Sequence, residues 1–171
     1  MPKKPETILA VDPGLREIGY AVLSGRRYLA GGVLDLRKCP KDRRLPTARR
    51  HLGRWVRTHR PRVIVLEKTY RHPVPWLNAL HLVALTARRI ARRRRLRFAC
   101  YAPQRVRQSV LGNGKAKKIE VAHFVASLYP QLRIHLTQDR KWKEKHYRNL
   151  FDAVALALHH QRAAKPPSRG R

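Results

Sequence analysis

Residues 7–16 read Thr-Ile-Leu-Ala-Val-Asp-Pro-Gly-Leu-Arg: an apolar run, Ile8-Leu9-Ala10-Val11, stops on Asp12 and breaks at Pro13-Gly14. A short continuous apolar run bounded by turn residues marks a buried strand. A carboxylate at the end of such a strand is costly to desolvate unless something positive holds it. The pattern recurs. Val63-Ile64-Val65-Leu66 ends on Glu67, and Asp152 opens the apolar stretch Ala153-Val154-Ala155-Leu156-Ala157-Leu158. Open α/β sheets place their sites at the carboxyl ends of strands. If the strands of Asp12 and Glu67 are neighbours, the two carboxylates are adjacent.

Working outward, 18–24 and 27–36 read as the next two strands, turned around Gly25, with Gly31-Gly32 marking a bulge or slack pairing. Residues 46–59 carry a helical pattern, with Leu52, Trp55 and Val56 facing inward and Arg49, Arg50, Arg54 and Arg57 outward. Residues 62–66 suit a central strand covered on both faces. A loop containing Pro73 and Pro75 leads to an amphipathic helix over 76–95, whose stripe is Leu77, Leu80, Val83 or Ala84, Ala87 and Ile90. Residues 96–101 make a fifth strand. A helix over 103–111 starts with proline in its first turn. Gly112-Asn113-Gly114-Lys115 is a loop, and 117–128 and 143–163 are further helices. The order β-β-β-α-β-α-β-α-α-α predicts a mixed five-stranded α/β sheet flanked by helices, one domain over 1–163, and a disordered basic tail over 164–171.

Composition narrows the partners. The chain has 171 residues, enough for one domain with a core, and is 43% hydrophobic. Lys and Arg number 40 against 10 Asp and Glu, a net charge of +30. A field of that sign attracts a polyanion, nucleic acid before an acidic membrane surface, and its spread along the chain favours a broad binding face. Arg outnumbers Lys by 28 to 12, from guanidinium–phosphate pairing, a GC-rich genome or a hot habitat. Cys39 and Cys100 form no zinc-spaced cluster and read as free thiols. The apolar run before Asp12 is too short for a signal peptide or membrane span, so a soluble, cytoplasmic protein is expected.

Three carboxylates beside buried segments, in a chain that otherwise avoids acids, describe a divalent-metal site for phosphodiester chemistry. Two Mg²⁺ ions about 3.5–4 Å apart can activate a water and stabilise the leaving 3′ oxygen in line. Mg²⁺ keeps several waters, so three or four hard oxygen ligands suffice. Taken alone, each acid is a weak signal: a turn residue, a first solvated residue, a helix cap. Their conjunction is what counts.

The chain resembles the RuvC family of Holliday-junction resolvases, of RNase H-like fold. Ile8-Leu9-Ala10-Val11-Asp12-Pro13-Gly14-Leu15-Arg16 with Gly19-Tyr20 is similar to its first strand and turn. Val65-Leu66-Glu67 is similar to the strand of its second acid. Tyr101-Ala102-Pro103 and Val106 through Lys118 resemble its Y-x-P/A…V-K-x-x-V-x-G-x-G-x-A-x-K segment, and Asp152-Ala153-Val154-Ala155-Leu156-Ala157 its last helix. The resemblance covers roughly residues 7–160. It implies a homodimer cutting two strands symmetrically across a four-way DNA junction, with Mg²⁺, or Mn²⁺ in its place, as two ions per subunit on Asp12, Glu67 and Asp152. A branch-migration motor is a possible partner.

The resemblance also orders the remaining candidates. The family commonly has Asp or His three residues before the last acid; Asn149 stands there, on the same helical face as Asp152. It ranks above His146 as fourth ligand, the alternative being a three-acid site. Tyr70 corresponds to an aromatic that stacks on unpaired bases at the junction centre, or else packs on the next helix. Arg71 and His72 lie beside it, within reach of phosphate. Arg107 and Lys118 match basic positions of the resembled segment, and Lys115 and Lys117 flank the Gly-Asn-Gly turn; all four read as DNA contacts over ordinary solvated side chains, with Lys118 also assisting near the scissile group. Arg88, Arg89, Arg92, Arg93, Arg94, Arg95 and Arg97 crowd one helix end and lean towards DNA backbone over a solvated face. Two competing functions remain: a RuvX-like RNA-processing nuclease of the same fold, against which the 112–118 segment argues, and a catalytically silent basic nucleic-acid-binding protein.

Overall fold

The structure is a computed structural model describing residues 5–14, 16–69, 78–136 and 141–164, with side chains throughout these except at 78–79 and 141–146. Tyr70, Arg71, His72, Trp76 and the tail beyond Ala164 therefore lie outside the described residues, and the side chains of Trp142 and His146 are likewise outside them.

Five strands, β1 (Thr7–Pro13), β2 (Glu17–Ser24), β3 (Arg27–Asp35), β4 (Val63–Glu67) and β5 (Arg97–Tyr101), form one sheet in the order β3-β2-β1-β4-β5. β1 pairs antiparallel with β2 and parallel with β4, and β4 pairs parallel with β5. The helices are α1 (Lys41–His59), α2 (Asn78–Arg93), α3 (Pro103–Leu111), α4 (Lys118–Leu128) and α5 (Lys141–Ala163). The mixed sheet and the element order are those expected from the pattern of apolar runs.

Side chains alternate across each strand. In β1, Leu9 and Val11 join Ile64 and Leu66 of β4 in a core sealed by Leu52, Trp55 and Val56 of α1 and Val83, Ala87 and Ala91 of α2. Ile8 and Ala10 join Val63 and Val65 in the opposite core, closed by α3, α4 and α5. Val63–Leu66 are buried on both faces, which is why this strand has no polar alternation.

Several boundaries differ from the sequence reading. α1 begins at Lys41, a turn before the expected 46, and carries Pro46 inside it. The polar stretch Lys41–Arg44 carries no apolar spacing to mark a helix, but Asp42 in the first turn complements the helix dipole. The bulge lies not at Gly31-Gly32 but at Leu29, skipped between the pairs Val22↔Ala30 and Leu23↔Tyr28. Gly31 serves packing instead: a Cβ there would fall 2.8 Å from Leu150 Cδ1 of α5. A 3-10 helix over Pro130–His135 has no counterpart in the sequence reading. No described helix is long and apolar enough to cross a membrane.

Candidate active site

Asp12 shares the parity of Ile8 and Ala10, and Glu67 that of Val63 and Val65, so both acids leave the sheet on the face covered by α5. The β1–β4 register runs Ile8↔Val63 to Val11↔Leu66, and one further step sets Asp12 opposite Glu67. Neighbouring strands lie about 4.8 Å apart. Asp152 comes from α5, which is anchored on this face by the buried residues Leu150, Phe151 and Ala153–Ala157. The three acids predicted from sequence thus lie at one end of one face, close enough for their charges to act on one another.

Gly19 allows that approach. It pairs with Asp12 in the β1–β2 register. A Cβ on it would lie 2.0 Å from the Asn149 carbonyl oxygen, so α5 rests directly on strand backbone at this point. Asn149 uses its Nδ2 to donate to the Glu17 carbonyl at 3.3 Å. A Cβ on Gly14 would lie 3.2 Å from that same Nδ2. Its amide therefore spans the gap between α5 and the start of β2, beside the Asp12-Pro13-Gly14 turn.

The electrostatics are those of anions crowded together. Asp12 is only 5% exposed. Burial, and then the negative charges of Glu67 and Asp152, hold its carboxyl well above the usual range, against the pull of Lys118 and Arg107. Glu67 is raised by burial and by Asp152, with Lys118 and Arg107 again opposing. Lys118 opens α4, where a cation meets the unfavourable end of the helix dipole. It is held there by carboxylate: its Nζ lies 2.8 Å from Asp152 Oδ2. Burial presses its ammonium down, but Asp152, Asp12 and Glu67 outweigh that and raise it.

The 112–118 loop is built to deliver this lysine. Gly112 takes φ 74° at the end of α3. Gln108 clamps the turn, donating to the Gly112 carbonyl at 3.0 Å and accepting from the Gly114 N–H at 2.9 Å. Asn113 accepts from the Lys115 N–H, and Glu120 caps the Lys117 N–H at 2.6 Å. Arg107, on α3, is half-buried and close enough to bias Asp12 and Glu67. Lys115 and Lys117 are exposed on the rim and do not join the acid cluster.

One contact had no sequence signal. Tyr101, the β5 partner of Glu67, shares a 2.8 Å hydrogen bond between its hydroxyl and His160 Nδ1 on α5. It also meets the His159 ring edge-on, with centroids 4.4 Å apart. This pair ties the strand beside Glu67 to the helix of Asp152.

Among the described residues, no three His, Cys, Asp or Glu side chains converge tightly enough to chelate an ion as they stand. The donor set nevertheless suits a hard cation: three carboxylates on one face, two of them driven towards neutrality by burial and mutual repulsion. Asp152 Oδ2 is buried and has no hydrogen-bond partner beyond the nearby ammonium.

A family model described as Crossover junction endodeoxyribonuclease RuvC matches residues 8–160, the span that contains all of these residues. The chain belongs to the RuvC family. Among RuvC relatives, the crossover junction endodeoxyribonuclease RuvC of Halorhodospira halophila is 32% identical over 168 residues, covering 94% of this chain and 92% of that protein. That of Alkalilimnicola ehrlichii is 31% identical over 170 residues, covering 95% and 94%. Thermus thermophilus RuvC in complex with Holliday junction substrate superposes with a TM-score of 0.74 at 22% identity, over 93% of this chain and 94% of that one. The yeast mitochondrial Holliday junction resolvase gives 0.66 at 16%, over 94% and 80%. These structural likenesses establish the RNase H-like fold of the RuvC family.

Proposed function

We propose that this chain is a crossover junction endodeoxyribonuclease that resolves four-way DNA junctions by metal-dependent phosphodiester hydrolysis, in recombination and repair. The observation that carries the reading is the placement of Asp12, Glu67 and Asp152 on one face of the sheet, with the Lys118 ammonium on Asp152. Asp12, Glu67 and Asp152 hold the cations, and Asn149 completes the set through its amide oxygen. Two Mg²⁺ ions, or Mn²⁺ in their place, supply activation of the attacking water and stabilisation of the leaving 3′ oxygen when bound.

The protein's own groups do the rest. The rigid strand ends fix the two strand carboxylates against the helix carboxylate. Lys118 and Arg107 offset the carboxylate charge and draw the scissile phosphate towards it. Lys115 and Lys117 contact the backbone from the rim. Tyr70 stacks on bases at the junction centre, and Arg71 meets phosphate. The enzyme acts in the cytoplasm as a homodimer, so that two such sites cut opposing strands, with a branch-migration motor as a further partner.

The deciding experiment incubates the pure protein with a synthetic mobile four-way junction, with and without Mg²⁺. Paired symmetric nicks that require the metal are expected. Binding without cutting at every Mg²⁺ and Mn²⁺ concentration would leave only the silent nucleic-acid-binding reading.

A further inference from the structure

The other pole of the sheet carries a second concentration of charge. Strands β1, β4 and β5 enter there, about 17 Å from the Asp12 end, at about 3.3 Å per residue from Thr7. Helices α1 and α2 both terminate at this pole, since each runs back across the sheet before β4 and β5. Arg88, Arg89, Arg92, Arg93, Arg94, Arg95 and Arg97 are all exposed, as are Arg60 and Arg62. Backbone bonds pull these segments together: the Arg97 N–H donates to the Arg62 carbonyl at 3.0 Å, and the Arg62 N–H to the Thr7 carbonyl at 2.8 Å. Between them lies a concavity of about 660 Å³ walled by Arg62, Arg95 and Arg97, with Glu6 as its one acidic residue.

Almost nothing neutralises this surface from within. Glu6 pairs with Arg97. Among the described residues, no carboxylate pairs with Arg60, Arg62 or any arginine from Arg88 to Arg95. The helix C-termini offset only a fraction of a charge each.

The backbone supplies a second, independent observation. Arg60 (φ 45°) and Arg95 (φ 55°) are the two non-glycine residues in the left-handed region among those described. Arg95 ends α2 in a Schellman arrangement, with the Leu96 N–H reaching back to the Ala91 carbonyl at 2.9 Å. Glycine is the relaxed residue at such a position, because a Cβ is strained there. Both helices ending at this pole place an arginine at it instead. Charge stands where conformational ease would call for none.

We infer that this pole is a second DNA-binding surface, separate from the cutting site, which grips the phosphate backbone of duplex outside the scissile region. Arginine forks match phosphate oxygens two at a time. A second copy of the chain would bring like charge to the patch, and the exposed leucines of α2, Leu82 and Leu85, lie about two to three turns back from the all-arginine run Arg92–Arg95, outside the charged pole. The choice of DNA as polyanion rests on the proposed function, whereas the gathering of Arg60 and Arg62 beside the arginines of 88–97 at one pole of the sheet rests on the structure.

The test is metal-free binding of a labelled 30-base-pair linear duplex, measured by anisotropy from about 50 to 400 mM KCl, so that cutting plays no part. Two variants are compared with the parent, R92Q/R93Q/R94Q and R60G/R95G. Removing one arginine–phosphate pairing lowers the slope of log K against log[salt] by about 0.9, so shallower slopes, by about 2–3 and 1–2, are expected. Affinity at about 100 mM KCl should fall roughly 10- to 100-fold in the triple variant. R60G/R95G should melt at the same or a higher temperature, because glycine relieves the strained positions, which separates a loss of charge from a loss of folding. Junction cleavage at saturating protein should stay within about twofold of the parent. Unchanged slopes in both variants would overturn the inference. So would competition by polyglutamate as strong as that by duplex of equal charge, which would assign the pole to an acidic protein. Failure of the parent to cut junctions, with the slopes reduced as stated, would sink the nuclease reading and leave this surface standing.

Discussion

Lys118 Nζ lies 2.8 Å from Asp152 Oδ2, which places the ammonium against an oxygen that a divalent cation would need. The same contact links two helices, α4 and α5, at the mouth of the acid cluster. A lysine so placed both shields the carboxylates and competes for them.

That double role separates two measurements. Lys118→Met should lower the cleavage rate by about 10²–10³-fold, the usual cost of removing one preorganised donor aimed at developing negative charge. It should also lower the Mg²⁺ concentration that half-saturates thermal stabilisation, because the competing ammonium is gone. An unchanged or raised Mg²⁺ requirement would show that Lys118 does not occupy the cation's place.

Asp12→Asn should move activity and stability in opposite directions. The carboxyl is buried beside two other acids and held well above its ordinary range. In the metal-free protein the native state therefore keeps a proton that the unfolded chain releases. Stability is fully present below the unfolded carboxylate range and is lost as pH rises through the higher native value. Asparagine removes that loss, so in EDTA at neutral pH the variant should melt a few degrees higher; 1 kcal/mol corresponds to about 2–4 °C in a chain of this size. Junction binding should persist while cutting disappears. A lower melting temperature in EDTA would contradict the repulsion between the carboxylates.

Gly19→Ala probes how closely α5 sits on the sheet. The new Cβ would fall 2.0 Å from the Asn149 carbonyl oxygen, a backbone atom with no flexible side chain to yield. The cost should be about 2–3 kcal/mol in urea unfolding. Lifting α5 also withdraws Asp152, so the Mg²⁺ requirement for cleavage should rise. A stable variant with normal metal dependence would mean that α5 does not set the site's spacing.

The three acids were legible because each interrupts an apolar segment, and apolar segments are what a sheet core demands. Parity along β1 and β4 then put two of them on one face, a consequence of period-2 alternation that needs only the strand register. Gly19 was visible as a residue but not as the seat of α5, because its neighbour Asn149 is far along the chain and only tertiary packing joins them. Tyr101 and His160 are 59 residues apart, and their hydrogen bond left no pattern in the sequence. The first turn of α1 was not legible because Lys41–Leu45 is largely polar, and the apolar spacing that marks a helix begins only further along. The roles of Tyr70 and Arg71 come from the resemblance, and both residues lie outside the described ones.

The Tyr101–His160 pair gives the last prediction, with a pH dependence opposite to that of Asp12. His160 is 7% exposed, and its Nε2 has no hydrogen-bond partner among the described residues. Burial, then the charges of Arg97 and His159, lower its pKa below the ordinary histidine value. The unfolded chain therefore binds a proton that the native state refuses, so stability is present above the unfolded histidine pKa of about 6.5 and falls as pH drops below it. His160→Gln keeps a polar partner for the Tyr101 hydroxyl and removes the titration. It should melt close to the parent at pH 8 and lose less of its melting temperature between about pH 6.5 and 5. Tyr101→Phe strands Nδ1 instead and should cost about 1–3 kcal/mol, the penalty of an unsatisfied buried group, at pH 8. Tyr101 sits beside Glu67 on the next strand. If the bond also holds α5 in register with the strand beside Glu67, Tyr101→Phe should raise the half-saturating Mg²⁺ for cleavage while leaving junction affinity unchanged. Parallel losses in melting temperature alone, with the Mg²⁺ titration unmoved, would restrict the pair to packing.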